Sequence, residues 1–384
     1  MSFEFATATK IIFGSGSIRQ IGSLAAKMGN RAFIVTGNDR DRGAILLDLL
    51  KKEGVLFDLF CVSKEPTTTI VLEGVAQAKK TNCDMVIGCG GGSPIDTGKA
   101  IAALLNNEGE LLDYLEVIGH GKPLTKPSAP YIAIPTTAGT GAEVTRNAVL
   151  GSPEHQVKVS LRSPSMLPSL ALIDPELTYS MPPKTTANTG LDAFTHLLES
   201  FVSNQANPLT DGICREGLHY VARSLVKAFQ KGDDGKARED MALASFFGGL
   251  ALANAKLGAV HGFAGPMGGM FDAPHGALCA RFLPFVMETN LRALTARLPN
   301  SPVLDRYVEV ARIVTGNPEA QAADGIGWAQ EISDALHIAP LAELGVQKND
   351  FLRIVEKSEN ASSMKGNPVA LTREELTHVL EQAL

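Results

Sequence analysis

The chain has 384 residues, 45% hydrophobic and 20% charged, with a formal net charge of -6, a pI near 5.8 and a mean hydropathy of +0.06. This balance describes a core-forming chain; it argues against disorder and against nucleic-acid binding, which calls for a basic excess or a Lys/Arg stripe that is not present. The five cysteines, Cys61, Cys83, Cys89, Cys214 and Cys279, are odd in number and lack CxxC spacing, so no disulfide framework is expected and a reducing cytoplasm fits best.

The opening stretch, MSFEFATATKIIFGSGSI, lacks a basic segment followed by an apolar one, and no uninterrupted apolar run reaches the roughly 18 residues of a membrane span. The chain is therefore read as neither secreted nor membrane-spanning. Lys10 to Phe13 is a strand candidate that ends at Gly14-Ser-Gly16 and passes into a helical stretch through Met28. Ala32 to Thr36 reads as a buried strand, followed after a polar loop by a helix to about Lys52; Phe57 to Val62, Met85 to Gly88 and Tyr131 to Ile134 supply further strands. Alternating strands and helices predict a mainly parallel sheet covered on both faces.

Met85 to Gly88 leads into Cys89-Gly90-Gly91-Gly92-Ser93-Pro94-Ile95-Asp96-Thr97-Gly98-Lys99. A strand that runs through a glycine triplet into a helix presents bare backbone N–H groups to an anion, which suits a pyrophosphate; the alternative is ordinary turn chemistry. A second turn, Pro135-Thr136-Thr137-Ala138-Gly139-Thr140-Gly141, also follows a strand, and its hydroxyls and small residues could line a nicotinamide.

From about Pro182-Pro183 the pattern changes to long Ala/Leu/Phe-rich segments at helical period: Leu191 to Val202, Asp211 to Phe229, Glu239 to Ala255 and Tyr307 to Val314. The predicted organisation is an α/β dinucleotide-binding domain over 1-182 and an all-helical metal-binding domain over 183-384. Within Gly190 to Ser200, GLDAFTHLLES, Asp192 and His196 stand four residues apart and share one helical face. Polar pairs at this spacing are common on helices. His261 and His275, in the Gly-rich segment AVHGFAGPMGGMFDAPHG, extend the set to one carboxylate and three imidazoles. Such ligands without thiolate suit Zn2+ or Fe2+ and similar ions.

Six motifs in order then carry a family resemblance: FGSG at Phe13 to Gly16, GGGSPIDTGKA at Gly90 to Ala100, IPTTAGTGAE at Ile134 to Glu143, IDPEL at Ile173 to Leu177, GLDAFTH at Gly190 to His196, and VHGFAGPMGGMFDAPHG at Val260 to Gly276. Along nearly its whole length the chain resembles the iron-containing (group III) alcohol dehydrogenases. The resemblance implies a metal held by Asp192, His196, His261 and His275, with Fe2+ expected and Zn2+ or another divalent ion as alternatives. It implies cofactor contacts from Gly92 and Ser93 at the pyrophosphate, from Thr136, Thr137 and Thr145 around the nicotinamide, and from Lys158 at the ribose. Gly37, Gly91, Asp96, Thr140 and Leu177 complete the expected cofactor set. The implied reaction is hydride transfer between NAD(P)(H) and a small alcohol, aldehyde or ketone, the metal holding the substrate oxygen while the helical half closes over a dry cleft. A homodimer or higher homo-oligomer is expected, with no nucleic-acid or membrane partner.

Two departures from the family pattern stand out. Many members carry a histidine four residues after the third ligand, where this chain has Gly265, and NAD-strict members often have Asp after the second strand, where this chain has Gly37 followed by Asn38, Asp39 and Arg40. Space at Gly37, with Arg40 or Arg42 near a 2'-phosphate, slightly favours NADP over NAD. Dehydroquinate-synthase-like proteins, which use NAD and a metal in a lyase cycle, are the second enzyme reading, and a non-catalytic dinucleotide-binding protein is the third. His120, His155, His219, His337 and His378 are read as surface or structural, Cys89 as a core residue, and Phe263, Met267, Met270 and Phe271 as the wall of an apolar substrate pocket.

Overall fold

The computed structural model describes residues 2–37, 40–155, 157–271 and 273–384, with residues 40–43 described by their backbone alone. Ala6–Ser180 form one compact unit, and Met181–Leu384 together with residues 2–5 form a second. No single described helix is long and apolar enough to cross a membrane.

The first unit is built on β1 (Ile11–Phe13), β2 (Arg31–Thr36), β3 (Leu56–Cys61), β4 (Met85–Gly90), β5 (Tyr131–Pro135), β6 (Asn147–Ser152), β7 (Val157–Arg162) and β8 (Leu170–Ile173). Six of these make one sheet in the order β1-β8-β5-β4-β2-β3, with every pairing parallel. Its helices are α1 (Ile21–Ala25), α2 (Arg40–Lys52), α3 (Thr68–Lys80), α4 (Gly92–Asn106) and α5 (Leu111–Tyr114).

The central strands are apolar through their interiors because both faces of the sheet are covered. Phe33, Val35, Val86, Tyr131 and Ala133 pack to one side with Val71, Val75 and Ile101 of α3 and α4. The residues between them, Ala32, Ile34, Met85, Ile87, Ile132 and Ile134, pack to the other with Ile21 of α1 and Leu46 and Leu50 of α2. Each fully buried aliphatic or aromatic side chain here contributes about 1.5–3 kcal/mol of transfer free energy.

Two local expectations need correction. The segment after Gly16 is not one helix to Met28 but a 3-10 turn over Ser17–Gln20 followed by the five-residue α1. The antiparallel hairpin β6–β7 was not anticipated at all; its inward residues Ala148, Leu150, Val159 and Leu161 join the same core as α4.

The second unit contains α6 (Pro183–Val202), α7 (Pro208–Gln230), α8 (Gly235–Asn254), α9 (Ala259–Met270), α10 (His275–Arg297), α11 (Pro302–Thr315), α12 (Ala322–Ala335), α13 (Phe351–Ser358) and α14 (Arg373–Ala383), and no strand occurs among its described residues. Helix α6 is central: its residues from Gly190 to Val202 are all buried. Its carboxyl end is fastened by Arg306, which donates to the Phe201 carbonyl at 2.7 Å and forms a bidentate pair with Asp211 at 2.6 and 2.8 Å. A charged fork on the last carbonyls also complements the negative end of the helix.

Candidate active site

In the α/β unit the strand order reverses between β2 and β4. The chain leaves β2 for β3 on one side, then returns to β4 on the other. In open parallel sheets a ligand binds at the carboxyl ends of the strands flanking such a reversal. Those ends are Gly37 after β2 and Gly90–Gly92 after β4, brought level by the pairing of Thr36 with Cys89. Helix α4 starts there with Gly91 as its N-cap, no side chain capping it and no acidic residue in its first turn. A Cβ on Gly91 would meet Thr137 Oγ1 at 3.3 Å, and one on Gly92 would meet Thr140 Cγ2 at 3.0 Å. Bare amides at the positive end of a 15-residue helix, lined by threonines, fit a pyrophosphate.

The other expected cofactor residues divide into two groups. Thr136, Thr137 and Thr140 lie on the turn after β5, with the Thr136 N–H bonded to the Gly90 carbonyl at 2.9 Å. Asp96 and Thr145 instead belong to an internal network around Lys99, which is wholly buried. Lys99 Nζ donates to the Ala142 carbonyl at 2.7 Å, Thr145 Oγ1 at 2.9 Å and the Asn147 carbonyl at 2.8 Å, and pairs with Asp96 at 3.5 Å. This ties the threonine turn to α4. Burial pushes the nearby Glu143 carboxyl up to about 7. Lys158 lies on β7, ion-paired with Glu65, and Leu177 packs at the edge of the core. Asn38, Asp39 and the side chains of Arg40 and Arg42 lie outside the described residues. Cys89 is buried, which raises its thiol to about 12, as suits a core residue.

The motifs FGSG and IDPEL turn out to be one device. The Asp174 carboxylate accepts the N–H groups of Gly16 at 3.1 Å, Ile18 at 3.0 Å and Glu176 at 3.0 Å. It is the N-cap of the Pro175–Thr178 turn and also holds two amides at the start of the Ser17–Gln20 turn, whose own N-cap is Gly16.

In the helical unit, one atom organises the cluster. Asp192 Oδ1, on a side chain 2% exposed, faces His196 Nε2 at 3.9 Å, His261 Nε2 at 3.5 Å and His275 Nε2 at 3.9 Å. It accepts no hydrogen bond of normal geometry. A buried carboxylate oxygen without a donor is costly unless something cationic meets it. Two ligand atoms each about 2.0–2.2 Å from a shared ion, at a tetrahedral angle, stand about 3.4 Å apart. The observed spacings thus fit atoms arranged around one divalent ion better than atoms bonded to each other. Burial would raise the Asp192 carboxyl, but His196, His275 and His261 outweigh it and hold it well below the usual range. Burial opposes charge on His261, yet Cys279, Asp192 and Glu199 lift its pKa well above that of a free imidazole. The cluster is built to hold positive charge.

Two contributors escaped the sequence reading. Glu199, seven residues after Asp192 on α6, accepts His261 Nδ1 at 2.7 Å and the Val260 N–H at 2.7 Å. It thereby directs His261 Nε2 at Asp192, the role a carboxylate plays behind a ligating histidine. Its spacing from His196, three residues, places both on one helical face and was the available signal. A Cβ on Gly258 would come within 2.9 Å of Glu199 Oε1, so that position needs glycine. Cys279, four residues after His275 on α10, was likewise legible by spacing; its Sγ stands 3.6 Å from both His261 Nε2 and His275 Nε2. One ligand atom from each of Asp192, His261, His275 and Cys279 lies within 4.8 Å of the others. The expected apolar pocket wall also needs revision. Phe263 and Met267 are fully buried core residues, Phe263 stacking on Phe282 at 4.7 Å, whereas Met270 and Phe271 are partly exposed.

Comparison with known proteins agrees with this chemistry. Residues 8–175 match the iron-containing alcohol dehydrogenase family and residues 186–384 its C-terminal family. The chain is 34% identical to a 1,3-propanediol dehydrogenase from Klebsiella pneumoniae, covering 99% of this chain and 98% of that one. It is 30% identical to an NADPH-dependent butanol dehydrogenase from Clostridium saccharobutylicum, covering 98% and 97%. The crystal structure of a 1,3-propanediol oxidoreductase superposes with a TM-score of 0.93 at 33% identity, covering 100% of both chains. An uncapped glycine-rich helix start at a sheet reversal, a buried carboxylate facing three imidazoles, and relatives aligned from end to end lead to one conclusion: the chain belongs to the iron-containing alcohol dehydrogenase family and is an NAD(P)-dependent oxidoreductase of alcohols.

Proposed function

We propose that the chain holds one divalent ion, Fe2+ or Zn2+, with Asp192, His196, His261 and His275, binds NAD(P)(H) at the carboxyl ends of β2 and β4, and interconverts small alcohols with their aldehydes or ketones. The single observation that carries this reading is Asp192 Oδ1, buried and without a hydrogen bond, facing three imidazole nitrogens. When bound, the ion supplies Lewis-acid polarisation of the substrate oxygen.

The residues do the rest. The amides of Gly92 and Ser93 receive the pyrophosphate, and Thr136, Thr137 and Thr140 border the nicotinamide end. Asp96 and Thr145 act through Lys99, holding the threonine turn on α4. Glu199 fixes the tautomer and orientation of His261. Gly265, one turn after His261, offers no imidazole to accept the alcohol proton, which leaves through water or the nicotinamide ribose hydroxyl. NADP is slightly favoured: Gly37 has only Pro94 Cγ at 3.9 Å from where a Cβ would stand among the described residues, and position 37 itself carries no carboxylate to repel a 2'-phosphate.

The protein is assigned to the cytoplasm, where its five free thiols persist. It is assigned a homodimeric or higher state, supported by exposed Leu56 and Leu59 on the edge strand β3. The test is direct. Asp192→Ala and His261→Ala should stay folded by circular dichroism, lose the bound ion and lose most aldehyde reduction with either cofactor. Metal-free protein working at the full rate would overturn the reading.

A further inference from the structure

Cys279 is fully buried within the apolar cluster of α9 and α10. An alanine would fill most of that volume, so packing alone does not require sulfur. Sγ stands at hydrogen-bond distance, 3.6 Å, from two imidazole Nε2 atoms at once, those of His261 and His275, and a thiol has only one proton to share between them. Both nitrogens also face Asp192 Oδ1, the buried oxygen that accepts no hydrogen bond.

The distances carry a specific meaning. With metal–nitrogen bonds of about 2.0–2.1 Å and a metal–sulfur bond of about 2.3 Å, a tetrahedral angle puts nitrogen and sulfur about 3.5 Å apart. That is the spacing seen to both histidines. Charge points the same way. Asp192 alone leaves a divalent ion with a net positive charge in a buried site, whereas a carboxylate plus a thiolate neutralises it. A coordinating thiol gives up its proton to the ion's field, so the neutral state of buried Cys279 in the free cluster is no obstacle.

We propose that Cys279 is a thiolate donor to the divalent ion and that it shifts the site's choice of metal from iron towards zinc. Binding forms a metal–sulfur bond and releases the thiol proton to solvent. The inference rests on the reading that the Asp192 cluster holds an ion. It adds sulfur as a fifth donor beside the Asp192, His196, His261 and His275 set, which imidazole and carboxylate ligands would not require. Thiolate is the softer ligand and favours zinc over ferrous iron, while imidazole accommodates both.

The experiment uses the full chain stripped of metal with a chelator and reloaded. Cobalt-loaded protein should show a thiolate-to-metal charge-transfer band in the near ultraviolet that Cys279→Ser lacks. X-ray absorption of the zinc form should find one sulfur neighbour at about 2.3 Å. Competition of zinc against ferrous iron should favour zinc by roughly tenfold less in Cys279→Ser than in the native chain. The zinc measurement on the native chain decides the matter even if the variant misfolds. Stoichiometric cobalt and zinc with only nitrogen and oxygen neighbours would overturn the thiolate and leave the Asp192 reading standing. Failure to bind any ion would overturn both.

Discussion

The Glu199 carboxylate accepts two hydrogen bonds at once, from His261 Nδ1 at 2.7 Å through Oε2 and from the N–H of the preceding residue, Val260, at 2.7 Å through Oε1. The first bond aims the ring; the second seats the start of α9, whose first amide, Ala259, is held by Asn367 at 3.1 Å. Ion affinity and local folding therefore share one side chain. Glu199→Gln should retain the fold but weaken zinc binding about 10- to 100-fold, measured by calorimetry or chelator competition. Glu199→Ala should in addition lower unfolding free energy by about 1–3 kcal/mol, because it strands the Val260 amide. Unchanged zinc affinity in both variants would show that His261 is positioned without Glu199.

At the other end of the reaction, Gly37 permits a direct test of cofactor choice. Its surroundings admit a side chain, and a carboxylate there would accept a hydrogen bond from the ribose 2'-hydroxyl of NAD while repelling a 2'-phosphate. Gly37→Asp should move the ratio of kcat/KM towards NADH by about tenfold or more, equivalent to about 1.4 kcal/mol. The same ratio before and after substitution would remove Gly37 from the specificity set.

Gly265 lies on α9 one turn beyond His261, and a Cβ built on it meets nothing within 4 Å. The native profile of kcat/KM against pH should lack a step near about pH 6.5, the range of a free imidazole. Gly265→His should introduce that step and narrow the range of substrates, compared on a small and a bulky alcohol. A native profile already carrying an imidazole step that the variant leaves unchanged would assign the proton to another histidine.

Glu143 predicts how the α/β unit responds to pH. Burial keeps its proton on to about pH 7 in the folded chain, against an ordinary 4.5, so between those values the folded chain binds more protons than the unfolded one. Stability falls as pH rises through that window and levels off above it, by a total of order 3 kcal/mol. Glu143→Gln should be more stable than the native chain at pH 8, and the difference should shrink towards pH 5, read from denaturant midpoints. A difference independent of pH would mean that Glu143 ionises normally.

Much of this was legible before any coordinates. The runs around Phe33, Val86 and Ile132 are apolar through their interiors because parallel strands are buried on both faces, and that pattern is visible in a single chain. The i,i+4 pair of Asp192 and His196 was visible for the same kind of reason, since helical pitch alone places them together. The hairpin β6–β7 was hidden because its six-residue alternations are short and half polar, and its partner strand is itself. Glu199 and Cys279 carried helical spacing to known candidates, but spacing along one helix cannot report what a second helix brings opposite it. Phe263 and Met267 misled because an apolar residue near a reactive cluster is as readily core as pocket wall.

Asp174 has a further consequence, for the order in which the α/β unit assembles. Strand β1 pairs only with β8, Ile11 opposite Ala171, and the Gly16–Ile18 turn is closed by a carboxylate that lies 156 to 158 positions later in the chain. The strand of this sheet that is made earliest is thus the last to find its neighbour. Until residue 174 has emerged, that strand is an unpaired apolar edge whose closure must meet the entropy of a very long loop. Nascent chains halted before β8 should therefore hold an unfinished sheet that invites chaperones or aggregation, and release of a few more residues should close the unit in a single late step.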